Sequence, residues 1–201
     1  ERLKIINDMG LNALKPIVLV FGGSQGAKKI NDTIIEIIKN KLNKDYQIMW
    51  GTGPKQYDEI KRELMYNNIS INNIKDMKIV PYIYNMEEIM NVADVIVARS
   101  GAMTITEIAT LGKPSILIPL PNVSHNHQLY NAQVLEKVNA AKIILNDDLT
   151  GKNLNETIEK IISDKNNISQ MAKNAQKVAT NNVEDKIYAE IKKCVNKNKN
   201  R

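Results

Sequence analysis

Short, uninterrupted apolar runs alternate along this chain with longer segments of helical periodicity, and that alternation sharply limits the folds open to it. The runs fall at residues 17–21, 46–50, 78–81, 95–98, 115–118 and 142–145. Each has the length of a strand and falls far short of the roughly 20 apolar residues that span a bilayer. Residues 27–40, 56–66, 86–91, 103–111 and 127–137 read as helices between them. Strands that are apolar throughout, not alternating, belong to a parallel sheet covered on both faces. The expectation is therefore an α/β fold with a doubly wound, six-stranded parallel sheet. Three amphipathic helices follow, near 154–163, 167–180 and 183–198. In the last, Ile187, Ile191 and Val195 stand at helical spacing and are expected to form a buried stripe. Residues 1–15 read as an interdomain linker and 16–201 as one domain.

Composition narrows the function classes. With 43% hydrophobic residues in 201, the chain can build one substantial core. A single cysteine, Cys194, excludes an internal disulfide and fits a reducing cytoplasm. No signal-peptide pattern is visible, and a start at Glu1 instead of Met suggests a segment of something longer. The formal charge of +6 raises the question of nucleic acid. Aromatics make up only 4%, leaving little to stack on bases, and the basic residues are spread along the chain. The charge reads as a solubility feature, and no nucleic-acid partner is expected.

In a doubly wound sheet, ligands bind beyond the carboxyl ends of the strands, where strand order reverses. Three post-strand segments carry the informative residues. The first is Gly22-Gly23-Ser24-Gln25-Gly26-Ala27, a turn opening into a helix. Its free N–H groups and the positive helix end suit an anion such as a diphosphate. It lacks the G-x-G-x-x-G dinucleotide spacing and the second Gly and Lys of a P-loop, so a plain tight βα turn is an equal reading.

The second segment is Arg99-Ser100-Gly101-Ala102-Met103-Thr104-Ile105-Thr106-Glu107. Glu107 is placed to accept hydrogen bonds from both ribose hydroxyls. Thr104-Ile105-Thr106-Glu107 equally fits a capping box, in which Glu107 would bond backbone at the helix start. Arg99 is either an electrostatic helper or one half of a salt bridge. In the third segment, His125-Asn126-His127-Gln128 leads into a helix, with Asn131 one turn along. No Cys or carboxylate accompanies the two His, so no metal site is expected. Gln128 and Asn131 offer the donors and acceptors that sugar hydroxyls require.

Taken together, the run from Phe21 to Ala27, the Arg99-Ser100-Gly101-Ala102 segment with Thr104 and Glu107, and His127-Gln128 with Asn131-Ala132 resemble the MurG family. The resemblance runs from about Ile17 to the end, with matching intervals. It implies the GT-B architecture, two Rossmann-like domains facing across a cleft, of which this chain is the second. The family transfers GlcNAc from UDP-GlcNAc to the C4 hydroxyl of lipid I, giving lipid II with inversion. On this resemblance Ser24 and the Gly22–Gly26 turn, with Gly23, Gln25 and Gly26, contact the diphosphate, and Ala102, Met103 and Thr104 line the phosphates. Ser100 and Gly101 are counted with the substrate-binding residues as part of the small-residue turn that precedes them. Ile83 holds uracil through its backbone with Met86 beside it, Glu107 binds the ribose, and Gln128 binds GlcNAc. His127 stands where some members carry a second Gln.

The resemblance further implies no cofactor and no catalytic base in this chain. The base, the acceptor pocket and the membrane patch belong to an N-terminal domain, through which alone lipid I would be met. The expected location is the cytoplasmic face of the bacterial plasma membrane. A UDP-GlcNAc 2-epimerase shares the architecture but requires acidic residues near the sugar, and none follows the third or fifth strand. A stand-alone nucleotide-sugar-binding subunit is the other alternative.

Overall fold

The computed structural model describes residues 1–123, 126–179, 188–189 and 191–193. Helix α1 (Arg2–Asp8) precedes strand β1 (Ile17–Phe21). The chain then alternates α2 (Lys28–Lys39), β2 (Gln47–Gly51), α3 (Pro54–Tyr66), β3 (Met77–Val80), α4 (Met86–Val92), β4 (Val95–Ala98), α5 (Ala102–Leu111), β5 (Ser115–Leu117), α6 (His127–Lys137) and β6 (Ala141–Ile143). Helices α7 (Gly151–Ile162) and α8 (Lys165–Gln176) follow. The six strands are ordered β3-β2-β1-β4-β5-β6 and every pairing is parallel. This is the expected doubly wound sheet, with its order reversing between β1 and β4.

Period-two alternation within the strands feeds two cores. Val18, Val20, Ile48, Trp50, Val95 and Val97 point to one face, where Ile30, Ile34 and Ile37 of α2, Leu64 of α3 and Ile158 of α7 cover them. Ile17, Leu19, Met49, Ile96 and Leu117 point to the other, under Ile6 of α1, Ile89 of α4, Ile108 of α5 and Leu135 of α6. Burial on both faces is why these strands carry no polar alternation.

Helix starts differ from the sequence expectation where a cap or proline precedes the apolar periodicity. Pro54 opens α3 two residues early, since its missing N–H is no loss in a first turn. Thr150 caps α7 by accepting from the Asn153 N–H, and Asp164 caps α8 through Asn166. The 1–15 segment is not extended: Ile6 is fully buried, and Arg2 donates to the Val92 carbonyl and pairs with Asp94 at 3.0 Å. In the helix expected at 183–198, Ile187 and Val195 lie outside the described residues. Ile191 is 55% exposed, which corrects its assignment to a buried stripe. An i, i+4 apolar pattern marks a face able to pack, and Ile191 is left more than half exposed.

Candidate functional site

A cleft of about 380 Å³ opens at the carboxyl ends of β1, β2, β3 and β4, over the point where strand order reverses. Gly23 and Ser24 reach it from the turn after β1, and Gly51 and Gly53 from β2 and its loop. Tyr82, Ile83 and Met86 come from the segment after β3, and Met103, Thr104 and Glu107 from the first turns of α5. Larger concavities lie elsewhere, one of about 630 Å³ at the amino ends of the strands. That one is lined by exposed lysines, and no strand-to-helix turn aims backbone N–H groups into it. The cleft at the switch point is the better site on those grounds.

Helix termini give the cleft its electrostatic character. Neither α2 (N-cap Ala27) nor α5 (N-cap Gly101) has a side chain capping its start, and the same holds for α3, α4 and α6, whereas Thr150 and Asp164 cap α7 and α8. What sets α2 and α5 apart is place: the turn that leads into α2 lines the cleft through Gly23 and Ser24, and α5 lines it through Met103 and Thr104, so their positive ends lie nearest the cavity. Lys28, in the first turn of α2, is held charged by its Asp32 partner 3.1 Å away, which raises its pKa.

Backbone-to-backbone packing of two loops shapes the wall formed by the turn after β1. The turn 23–26 closes through Gly26 N–H to the Gly23 carbonyl at 3.1 Å. Gly26 (φ +77°) lies so close to β2's exit that a Cβ would stand 2.0 Å from the Thr52 carbonyl oxygen. Gly53 (φ +88°) meets the Gln25 carbonyl in the same way at 2.3 Å. On the opposite wall Ile83 is buried against Gly51, and the Tyr82 ring meets Tyr84 edge-on with centroids 5.1 Å apart. Met103 is 73% exposed, an apolar side chain held at the cleft.

Glu107 lines this cleft and is not a cap. Helix α5 starts at Ala102, so Gly101 holds the N-cap place and Glu107 lies more than a turn inside. The capping-box reading of Thr104-Ile105-Thr106-Glu107 required Thr104 at the N-cap, a place that Gly101 holds three residues earlier.

Other candidate residues serve the walls and not the cavity. Ser100 is fully buried, donates to the Gln128 carbonyl at 2.7 Å, and its own carbonyl accepts from Asn131 Nδ2 at 3.0 Å. Gln128 Oε1 accepts from the Leu120 N–H. These bonds tie α6 to the turn after β4, with His127 exposed at the start of α6. Gln25, Gly26 and Ala102 flank the cleft without lining it. Arg99 makes no salt bridge of the kind considered: its guanidinium donates to the Ile118 and Pro119 carbonyls and to Asn146 Oδ1, and burial lowers its pKa. Sequence reasoning missed Gly51, Gly53 and Tyr82. The Gly51-Thr52-Gly53-Pro54 run, two glycines between a strand and a proline-initiated helix, carried the signal.

Residues 17–187 match the model of the glycosyltransferase family 28 C-terminal domain. The chain belongs to that family. A relative in Thermoanaerobacter sp. (strain X514), named UDP-N-acetylglucosamine--N-acetylmuramyl-(pentapeptide) pyrophosphoryl-undecaprenol N-acetylglucosamine transferase, is 41% identical over 197 residues. The match covers 96% of this chain and 53% of the relative, so the chain spans about half of that protein's length. Among solved structures, Acinetobacter baumannii MurG superposes with a TM-score of 0.77 at 27% identity, covering 94% of this chain and 53% of that one. A UDP-GlcNAc 2-epimerase from Neisseria meningitidis, solved bound to UDP-GlcNAc, gives 0.61 at 15% identity, covering 96% and 48%. The second likeness is one of fold alone. The strand order is that of a Rossmann-like domain, and the likeness to MurG makes it a GT-B half.

Proposed function

We propose that this chain is the donor-binding domain of a glycosyltransferase that moves GlcNAc from UDP-GlcNAc to lipid I, forming lipid II for peptidoglycan. The observation that carries this reading is the single cleft into which Ser24, Ile83, Thr104 and Glu107 converge beneath two helix starts without side-chain caps. Each part matches a part of UDP. The apolar wall of Ile83, Met86 and Tyr82 takes the base, the Glu107 carboxylate takes the ribose hydroxyls, and the ends of α2 and α5 take the diphosphate. Negative charge grows on that diphosphate as the glycosidic bond breaks, so prealigned N–H groups and helix dipoles stabilise the leaving group. Gln128, whose Oε1 holds the Leu120 N–H at the start of α6, is the residue assigned to the GlcNAc.

An N-terminal acceptor-binding domain of the same enzyme supplies the base and meets lipid I, with residues 1–15 joining the halves. The enzyme works at the cytoplasmic face of the plasma membrane as a peripheral protein, in cell-wall synthesis and hence in cell shape and division. Among the described residues no helix is long and apolar enough to cross a membrane. Titration calorimetry with UDP, ADP and NAD tests the proposal. UDP is expected to bind tightest, and tighter binding of ADP or NAD would overturn it.

A further inference from the structure

A buried polar network runs behind the phosphate-side wall of the cleft, and its outermost member reaches the turn itself. Asn31, on α2, is 1% exposed and satisfied on every side. Its Oδ1 accepts from Trp50 Nε1 at 3.0 Å, and its Nδ2 donates to the Thr52 carbonyl at 2.8 Å and to Gln56 Oε1 at 2.9 Å. That last bond fixes the Gln56 amide, because an oxygen committed to Asn31 turns Nε2 the other way. Nε2 then donates to the Gln25 carbonyl at 3.3 Å, in the middle of the turn 23–26. The same amide nitrogen lies 2.9 Å from where a Cβ on Gly26 would be. Gln56 itself is fixed at the start of α3 by its backbone N–H to the Gly53 carbonyl.

We propose that Gln56 is a positioning residue for the phosphate-binding turn. Without lining the cleft, it clamps the Gln25 peptide, whose N–H on Gly26 closes the turn onto the Gly23 carbonyl, and so sets the direction in which the Ser24 and Gln25 N–H groups face the ligand. The geometry supports this over a purely structural role for two reasons. Gln56 is only half-buried, so its amide could be hydrated at small cost if the bond to Gln25 did nothing. In addition, Asn31 spends a fully buried side chain on orienting it, and a buried amide is costly unless it is completely paired. A peptide plane held in place needs no reorganisation when an anion arrives, which is the condition for a strong oxyanion or phosphate site.

This inference rests on the assignment of the turn to the diphosphate, and the test separates the two. Wild type and Gln56→Met are titrated with uridine and with UDP, and amide exchange of residues 23–26 is followed in the ligand-free proteins. Methionine keeps the length of glutamine and loses both bonds. The variant is expected to bind UDP about three- to tenfold more weakly, the scale of one lost hydrogen bond, with uridine affinity unchanged and faster exchange in the turn. A wild type that binds UDP no better than uridine would defeat the phosphate assignment and the proposal with it. A wild type that prefers UDP, with the same preference in Gln56→Met and a lower melting temperature as the only change, would defeat the proposal and leave the assignment standing.

Discussion

Gly26 and Thr52 are in backbone contact across two loops, and no residue with a Cβ fits at position 26: that atom would stand 2.0 Å from the Thr52 carbonyl oxygen. The carbonyl cannot retreat, because Asn31 Nδ2 donates to it at 2.8 Å. The turn after β1 is therefore keyed into the exit of β2, and the shape of the cleft depends on a contact outside it.

Gly26→Ala should be far more damaging than an alanine at the other turn. The positive φ costs about 1–2 kcal/mol and the clash about 1–3 more. Gly101 has an ordinary φ of −64° and no atom within 4 Å of a new Cβ, so Gly101→Ala should cost under about 1 kcal/mol. Urea unfolding of the two variants measures both, and equal losses would show that the loop contact does not constrain the fold.

Glu107→Ala should leave stability nearly unchanged, because the carboxylate is exposed in the cleft and caps nothing. Hydrogen bonds to a charged partner are worth roughly 1.5–3 kcal/mol, so UDP affinity should fall at least about tenfold. The discriminating ligand is 2′-deoxy-UDP. Wild type should bind it more weakly than UDP, and the variant should barely distinguish the two. Full UDP affinity in Glu107→Ala would remove Glu107 from the site.

The strands and the two helix-mouth turns were legible in the sequence because their signals are local. A strand buried on both faces is apolar nearly throughout, as Ile17-Val18-Leu19-Val20-Phe21 is, and glycines between a strand and a helix mark a tight turn whatever else they do. Helix α1 was not legible. Its seven residues are too few to be helical alone, and it is held by Ile6 under α4 and by Arg2 on Val92 and Asp94, far away in sequence. For Glu107 spacing allowed two roles, and only the true start of α5 removed one. Asn31 and Gln56 gave no sequence signal, because their meaning lies in partners on other loops.

Tyr46 should make the chain sensitive to alkali. Its hydroxyl donates to Asn155 Oδ1 at 2.7 Å in the core, and burial drives its pKa well above the ordinary tyrosine value of about 10. A folded pKa above the unfolded one gives stability that is complete below about pH 10 and lost as pH rises through the folded value. Tyr46→Phe should cost about 1–2 kcal/mol at neutral pH, since Asn155 loses its donor, and should flatten the alkaline limb of the stability curve. Parallel limbs in variant and wild type would assign the alkaline loss to other groups.

Arg99 tests whether a cation beside the cleft acts on the ligand or on the fold. Its guanidinium already binds the Ile118 and Pro119 carbonyls at 3.1 and 3.2 Å and Asn146 at 3.0 Å, joining the ends of β4 and β5 to the loop after β6. A group so engaged cannot swing to a phosphate without leaving buried carbonyls unpaired. Arg99→Ala should therefore destabilise by about 2–4 kcal/mol while UDP affinity, measured well below the melting temperature, changes less than about threefold. Lysine cannot repeat the fork, so Arg99→Lys should recover only part of the stability. An electrostatic helper predicts the opposite ordering: Arg99→Ala would keep its stability and lose affinity for UDP but not for uridine, and lysine would restore the affinity because it restores the charge.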